Sequence, residues 1–151
     1  MTFRFFFIAI LLLFSVSLFG CGGGGSGAPG GSAPSGSTII INPDSVDVAA
    51  GGAPDWHTHF FTISVIDPDG NPRADTVLDI FFPWAVPDPA GVVQLYDGAT
   101  PKNSPMRVKT DKFGIYQLRF DYLAGGLEWD GILEVRSGAV FVTADFSVSI
   151  P

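Results

Sequence analysis

"GILEVRSGAVFVTADFSVSI", residues 131–150, alternates apolar and polar side chains on the far side of a Ser-Gly turn. After the Ser137-Gly138 turn, Val140, Val142, Ala144, Phe146, Val148 and Ile150 fall on one side, while Thr143, Asp145, Ser147 and Ser149 fall on the other. That two-residue period is the mark of a half-buried strand. Ile132 to Arg136 precedes the turn, so the segment reads as a β-hairpin. A slip of one residue would bury an aspartate and expose the apolar row, so the register is tightly specified.

The same period runs upstream. Tyr116, Leu118, Phe120 and Tyr122 alternate with Ile115, Gln117, Arg119 and Asp121, after a "TDKFG" turn. Leu78, Ile80 and Phe82 alternate with Val77, Asp79 and Phe81, and a proline-rich loop, Pro83 to Pro89, ends that strand because proline has no N–H for the ladder. Phe61, Ile63 and Val65 oppose Thr62 and Ser64 ahead of a "DPDGNP" turn. Ser37 to Asn42, Ser45 to Val48, Val92 to Tyr96 and Met106 to Thr110 are shorter candidates. No stretch of helical length shows a helical period free of proline and glycine. The expected fold is all-β, an immunoglobulin-like β-sandwich of about seven to nine antiparallel strands, over residues 38–151.

The N-terminus has another character. Met1 to Arg4 carries one positive charge, and Phe5 to Phe19 is apolar apart from Ser15 and Ser17, the layout of a secretory signal. The run is short for a bilayer span, which takes about 20 apolar residues, and it passes directly into glycine. Leu18-Phe19-Gly20-Cys21 resembles the lipobox of bacterial lipoproteins. The resemblance implies that residues 1–20 are a lipoprotein signal peptide and that Cys21 becomes an N-terminus carrying palmitate-type acyl chains. Cys21 is the only cysteine, so no internal disulfide competes for it. Residues 21–37 read as a tether, since Gly22 to Ser37 is built of small residues and proline. Such a coil reaches roughly 20–24 Å. Gly22 stands where an aspartate would mark inner-membrane retention, so the same resemblance implies an exported protein anchored at the outer membrane or cell surface.

Four segments carry a second resemblance. "INPDSVDVAAGG", "FFTISVIDPDGNPRADTVLDIFF", "VKTDKFGIYQLRF" and the terminal hairpin resemble a bacterial immunoglobulin-like domain of the invasin and intimin type. Asp67, Gly70, Asn71 and Pro72 match its first turn, and Thr110, Asp111 and Gly114 its second. The segment 83–105 is longer and richer in proline than usual there, and one copy stands where the family commonly has a tandem array. The resemblance implies a structural or adhesion-like role.

Charge and motifs narrow the function classes. Eight Lys and Arg against fifteen Asp and Glu give a formal charge of −7, which argues against nucleic acid and against direct binding to anionic headgroups. Neither a Gly-x-Ser-x-Gly elbow nor a Gly-rich phosphate loop is present, and Glu128 and Glu134 are the only glutamates, so the chain is expected not to be an enzyme. Asp55, His57 and His59 make a sparse candidate for zinc, set against an ordinary exposed strand start. Asp67, Asp69, Asn71 and Asp75 supply hard oxygen ligands at an EF-hand-like spacing suited to calcium. Pro72 and Leu78 break that pattern, and a β-turn competes with a calcium site. No other cofactor is expected.

Trp84, Trp56 and Trp129 are the candidates for ligand binding, with Trp84 first among them and burial in the core as the competing role. Three functions stay open: a lipid-anchored, non-enzymatic structural or adhesion-like domain, a periplasmic accessory subunit of an envelope complex, and a carbohydrate-binding module. The expected partners are a membrane, through the N-terminal anchor, and a protein or glycan.

Overall fold

The computed structural model describes residues 30–86 and 91–151, and for 83–86 the backbone alone is considered. Ten strands are present among the described residues: β1 (Thr38–Asn42), β2 (Ser45–Ala49), β3 (Asp55–Ile66), β4 (Val77–Val86), β5 (Val93–Asp97), β6 (Thr100–Lys102), β7 (Met106–Lys109), β8 (Ile115–Ala124), β9 (Trp129–Ser137) and β10 (Val140–Ser149). They form two five-stranded sheets, ordered β1-β3-β8-β5-β6 and β2-β10-β9-β4-β7. The first four strands of one sheet and the β10-β9-β4 run of the other reproduce the two sheets of an immunoglobulin-like sandwich. Neighbours are antiparallel except β2, which lies parallel to β10. The count exceeds the expectation by the short β6, a Thr-Pro-Lys segment with no apolar alternation to announce it; it pairs back onto β5 after a tight turn.

The alternating rows meet between the sheets. Phe61, Ile63 and Val65 of β3 and Leu118 and Phe120 of β8 are buried against Leu78 and Ile80 of β4, Leu133 and Val135 of β9, and Phe146 and Val148 of β10. Phe146 is the centre of an aromatic cluster: its ring stacks on Trp129 at 5.3 Å and lies 4.8 Å from both Phe120 and Tyr122. Such geometry adds about 0.5–1.5 kcal/mol per pair beyond the area buried. The β9–β10 register runs from Val140 opposite Ser137 to Val148 opposite Trp129, the hairpin expected from the alternation. At its far end Ile150 leaves the buried row and is exposed.

Two aspartates shape two turns in the same way. Asp67 Oδ1 accepts the N–H groups of Asp69 and Asn71 at 3.0 and 2.8 Å, and Asp111 Oδ1 accepts those of Phe113 and Ile115 at 2.8 and 2.9 Å. These are the side-chain-to-backbone bonds that make aspartate a turn residue. The turns touch each other, since a Cβ at Gly114 would stand 2.7 Å from the Arg73 nitrogen and 3.1 Å from Pro72 Cβ, where the first turn ends.

The expected tether needs correction over its described part. The N–H of Val77 donates to Gly31 O at 3.0 Å, and the N–H of Ala33 donates to Ser137 Oγ at 2.7 Å. Ala33 is buried within the core cluster. Small side chains let this segment lie close: Gly36 has φ 83°, and a Cβ there would stand 3.3 Å from Pro68 Cγ. Composition suggested a coil with nothing to bury, but here an alanine methyl and backbone groups suffice. Residues 1–29, with the signal segment and Cys21, lie outside the described residues.

Candidate functional site: a groove on the outer face of the first sheet

In β3, Phe61 is in the core, so its alternates Trp56, Thr58 and Phe60 face outward. An outer sheet face is ordinarily polar. Here Trp56 is 50% and Phe60 51% exposed. Register sets their neighbours: Thr58 lies opposite Asp121, which lies opposite Gln94, and Phe60 lies opposite Arg119, which lies opposite Tyr96. Polar and aromatic rows therefore run across β3, β8 and β5.

The polar row is tightly bonded. Thr58 Oγ1 donates to Asp121 Oδ1 at 2.7 Å, while Arg119 Nε and Nη2 donate to Asp121 Oδ1 and Oδ2 at 2.9 and 2.6 Å. Asp121 is only 8% exposed although it belongs to an outward row. Burial pushes its carboxyl up, but the Arg119 and Thr58 bonds outweigh that and hold it below the usual carboxylate range. The Arg119 guanidinium also lies over the Tyr96 ring, 4.3 Å from its centroid. Gln94 Nε2 donates to the carbonyls of Leu95 and Lys102, each at 2.9 Å, which fixes its amide. Between these groups lies an open groove of about 470 Å³ lined by Trp56, Gly91, Val93, Gln94, Tyr96 and Asp121.

The three tryptophans have separate fates. Trp56 lines the groove. Trp129 corrects the expectation of a ligand platform: it is 2% exposed, stacked on Phe146, and its Nε1 donates to Leu123 O at 2.9 Å. Trp84 has its backbone in β4 opposite Ile132, and its side chain lies outside the described residues. The β3–β8 and β5–β8 registers bring Trp56 together with Tyr96, Gln94 and Asp121, which the sequence reading had not singled out. A local signal was present in "DWHTHFF", where aromatic residues occupy the outward period of β3.

The calcium candidates do not gather into a site. Asp67 is engaged by the backbone N–H of Asn71 foremost, which holds it below the usual carboxylate range against the opposing effect of desolvation. Asp75 sits at φ 52° with its N–H on Thr110 O at 3.2 Å. Among the described residues no three His, Cys, Asp or Glu side chains are grouped to hold a metal, which also leaves Asp55, His57 and His59 apart as ligands. His57 instead stacks on Tyr122 at 5.7 Å, and His59 meets the Phe61 ring edge-on at 4.9 Å. Burial pushes the His59 imidazole below its ordinary range.

No family model matches the chain, and no curated protein matches it. Among solved structures it is similar to domains 1–6 of the surface layer protein SbsC, at 14% identity over 76% of this chain and 13% of that one, with a TM-score of 0.46. It is also similar to the D00-D0 domain of intimin, at 11% identity over 84% of this chain and 51% of that one, with a TM-score of 0.44. The chain spans about half of the second structure and a much smaller share of the first. The fold therefore rests on strand order and register.

Proposed function

We propose that this chain is an exported cell-envelope protein, acylated at Cys21 and held at the outer membrane or cell surface, which presents a non-enzymatic immunoglobulin-like domain for adhesion-like binding. The observation that carries the binding role is the half-exposed Trp56 beside a groove on an outer sheet face. A solvated strand face has no need of two half-exposed aromatic side chains, and concave surfaces with a few placed polar groups are where proteins bind ligands. Binding rather than chemistry fits Asp121, because an ionised carboxylate already bonded to Arg119 has no proton to give and little basicity to offer.

The anchor reading is supported by the lipobox-like Leu18-Phe19-Gly20-Cys21. With residues 30–37 held on the sandwich, the nine steps from Cys21 to Gly30 span at most about 30 Å when fully extended, which limits how far the domain stands from the lipid. Two measurements test the proposal. Cys21→Ala should move the chain from the membrane to the soluble fraction, and unchanged partition would remove the anchor. Protease should digest the domain in intact cells; protection until the outer membrane is permeabilised would turn the domain inward, as an accessory periplasmic subunit requires.

A further inference from the structure

The chemistry of the groove walls selects an occupant. Arg119 and Asp121 satisfy one another at 2.6 Å, so charge cancels locally in a chain whose formal charge is −7. An anionic ligand would have to take Arg119 from its partner, and a cationic one would have to take Asp121. What the groove offers beyond that pair is the half-exposed indole of Trp56 and the polar groups of Gln94 and Tyr96. Its volume of about 470 Å³ lies within the ~300–1,000 Å³ of small-ligand clefts, whereas a protein partner needs a broad patch of about 800 Å².

An uncharged ligand with an apolar face and a rim of hydroxyls meets all of these conditions. A pyranose ring is such a molecule, since its C–H face lies on an aromatic ring while its hydroxyls reach amide and phenol groups. The length of the site points to a chain of rings. Trp56 and Tyr96 lie on strands separated by β8 and opposite Leu123 and Arg119, which puts their Cα atoms roughly 16 Å apart. A short linear oligosaccharide covers that distance.

We infer that the groove on the β3–β8–β5 face binds linear, neutral oligosaccharides, with Trp56 as the ring platform and Gln94 and Tyr96 as the polar partners of sugar hydroxyls. This rests on the reading that the face is the recognition surface.

The test uses the full chain, purified in a zwitterionic detergent without a sugar headgroup. Calorimetric titrations with cellotetraose, chitotetraose and mannotetraose are compared with an anionic hyaluronan tetrasaccharide and a cationic chitosan tetramer. At least one neutral tetrasaccharide should bind saturably, with affinity reduced about tenfold or more in Trp56→Ala and by less in Trp56→Phe, each variant keeping the wild-type thermal transition. Gln94→Ala should weaken the same titration and provides a second variant should Trp56→Ala fail to fold. Absence of neutral binding, preference for a charged sugar, or full affinity in folded Trp56→Ala would overturn the proposal. Sedimentation of the same samples separates two kinds of failure. Self-association lost in Trp56→Ala would overturn the sugar while keeping the face as a recognition surface. Neither sugar binding nor association would overturn both.

Discussion

Ser137 clasps Ala33: its hydroxyl accepts the Ala33 N–H at 2.7 Å and donates to the Val77 carbonyl at 2.6 Å. One side chain near the end of β9 thus ties the segment ahead of β1 to the start of β4, across more than a hundred residues of sequence. Ser137 is itself buried, so its loss leaves polar backbone groups without partners. Ser137→Ala is expected to cost about 1–3 kcal/mol, read as a lower urea midpoint with an unchanged slope. Limited proteolysis should then cut near residues 30–33 faster than in the wild type, and unchanged cleavage would mean that the clasp contributes nothing to docking.

The contact between the two aspartate turns makes a second position sensitive. Gly114 has φ 73°, and a Cβ there would stand 2.7 Å from the Arg73 nitrogen and 2.9 Å from the Val65 oxygen, both backbone atoms. Backbone cannot swing aside as a side chain can, and a left-handed φ adds about 1–2 kcal/mol for an L-residue. Gly114→Ala should destabilise by more than about 2 kcal/mol in urea unfolding, well beyond the conformational cost alone.

Trp129 and Trp56 should separate stability from binding. Trp129→Ala empties a core position against Phe146 and is expected to cost about 3–5 kcal/mol. Trp56→Ala removes a half-exposed ring and should stay within about 1 kcal/mol of the wild type while changing ligand binding. Thermal unfolding of the two variants side by side checks this; equal losses would place Trp56 in a structural role.

The environment of His59 predicts a pH dependence. Its Nε2 is buried and has no hydrogen-bond partner among the described residues, and the rings of Phe61 and Phe146 lie 4.9 and 6.2 Å away. The imidazole is therefore held below its ordinary range when folded, so the unfolded chain takes up a proton that the folded chain resists. This contribution is fully present above the unfolded value, about 6.5, and is lost as pH falls through it toward the lowered folded value. Asp79 and Asp121 are held below the usual carboxylate range, so their contributions fade only in more acidic solution. Urea midpoints at pH 7.5 and 5.5 should differ in the wild type and differ less in His59→Phe; an equal difference in both would assign the dependence to other groups.

The strands were legible because alternation is a local property. A row such as Val142, Ala144, Phe146 and Val148 must face apolar surface whatever its partner is, so period and turn chemistry alone indicate β3, β4, β8, β9 and β10. Asp67 and Asp111 were legible for the same reason, since an aspartate bonding N–H groups two and four residues ahead needs nothing from the rest of the chain. Identical residue types in unlike tertiary places were not legible. Trp56 and Trp129 both stand at strand beginnings, yet one lines a groove and the other fills the core, because burial is set by what the opposite sheet supplies. The groove draws Trp56 from β3, Asp121 from β8 and Gln94 and Tyr96 from β5, and only strand order and register bring them together. The docking of residues 30–37 was equally hidden, since a glycine- and serine-rich segment has little side-chain signal, and its place is decided by Ser137 and the backbone of Val77. Local order along the chain is enough to set the alternation that makes two faces. Which outward face carries a site was decided by long-range pairing, because the energy of each contact depends on a partner far away in the chain.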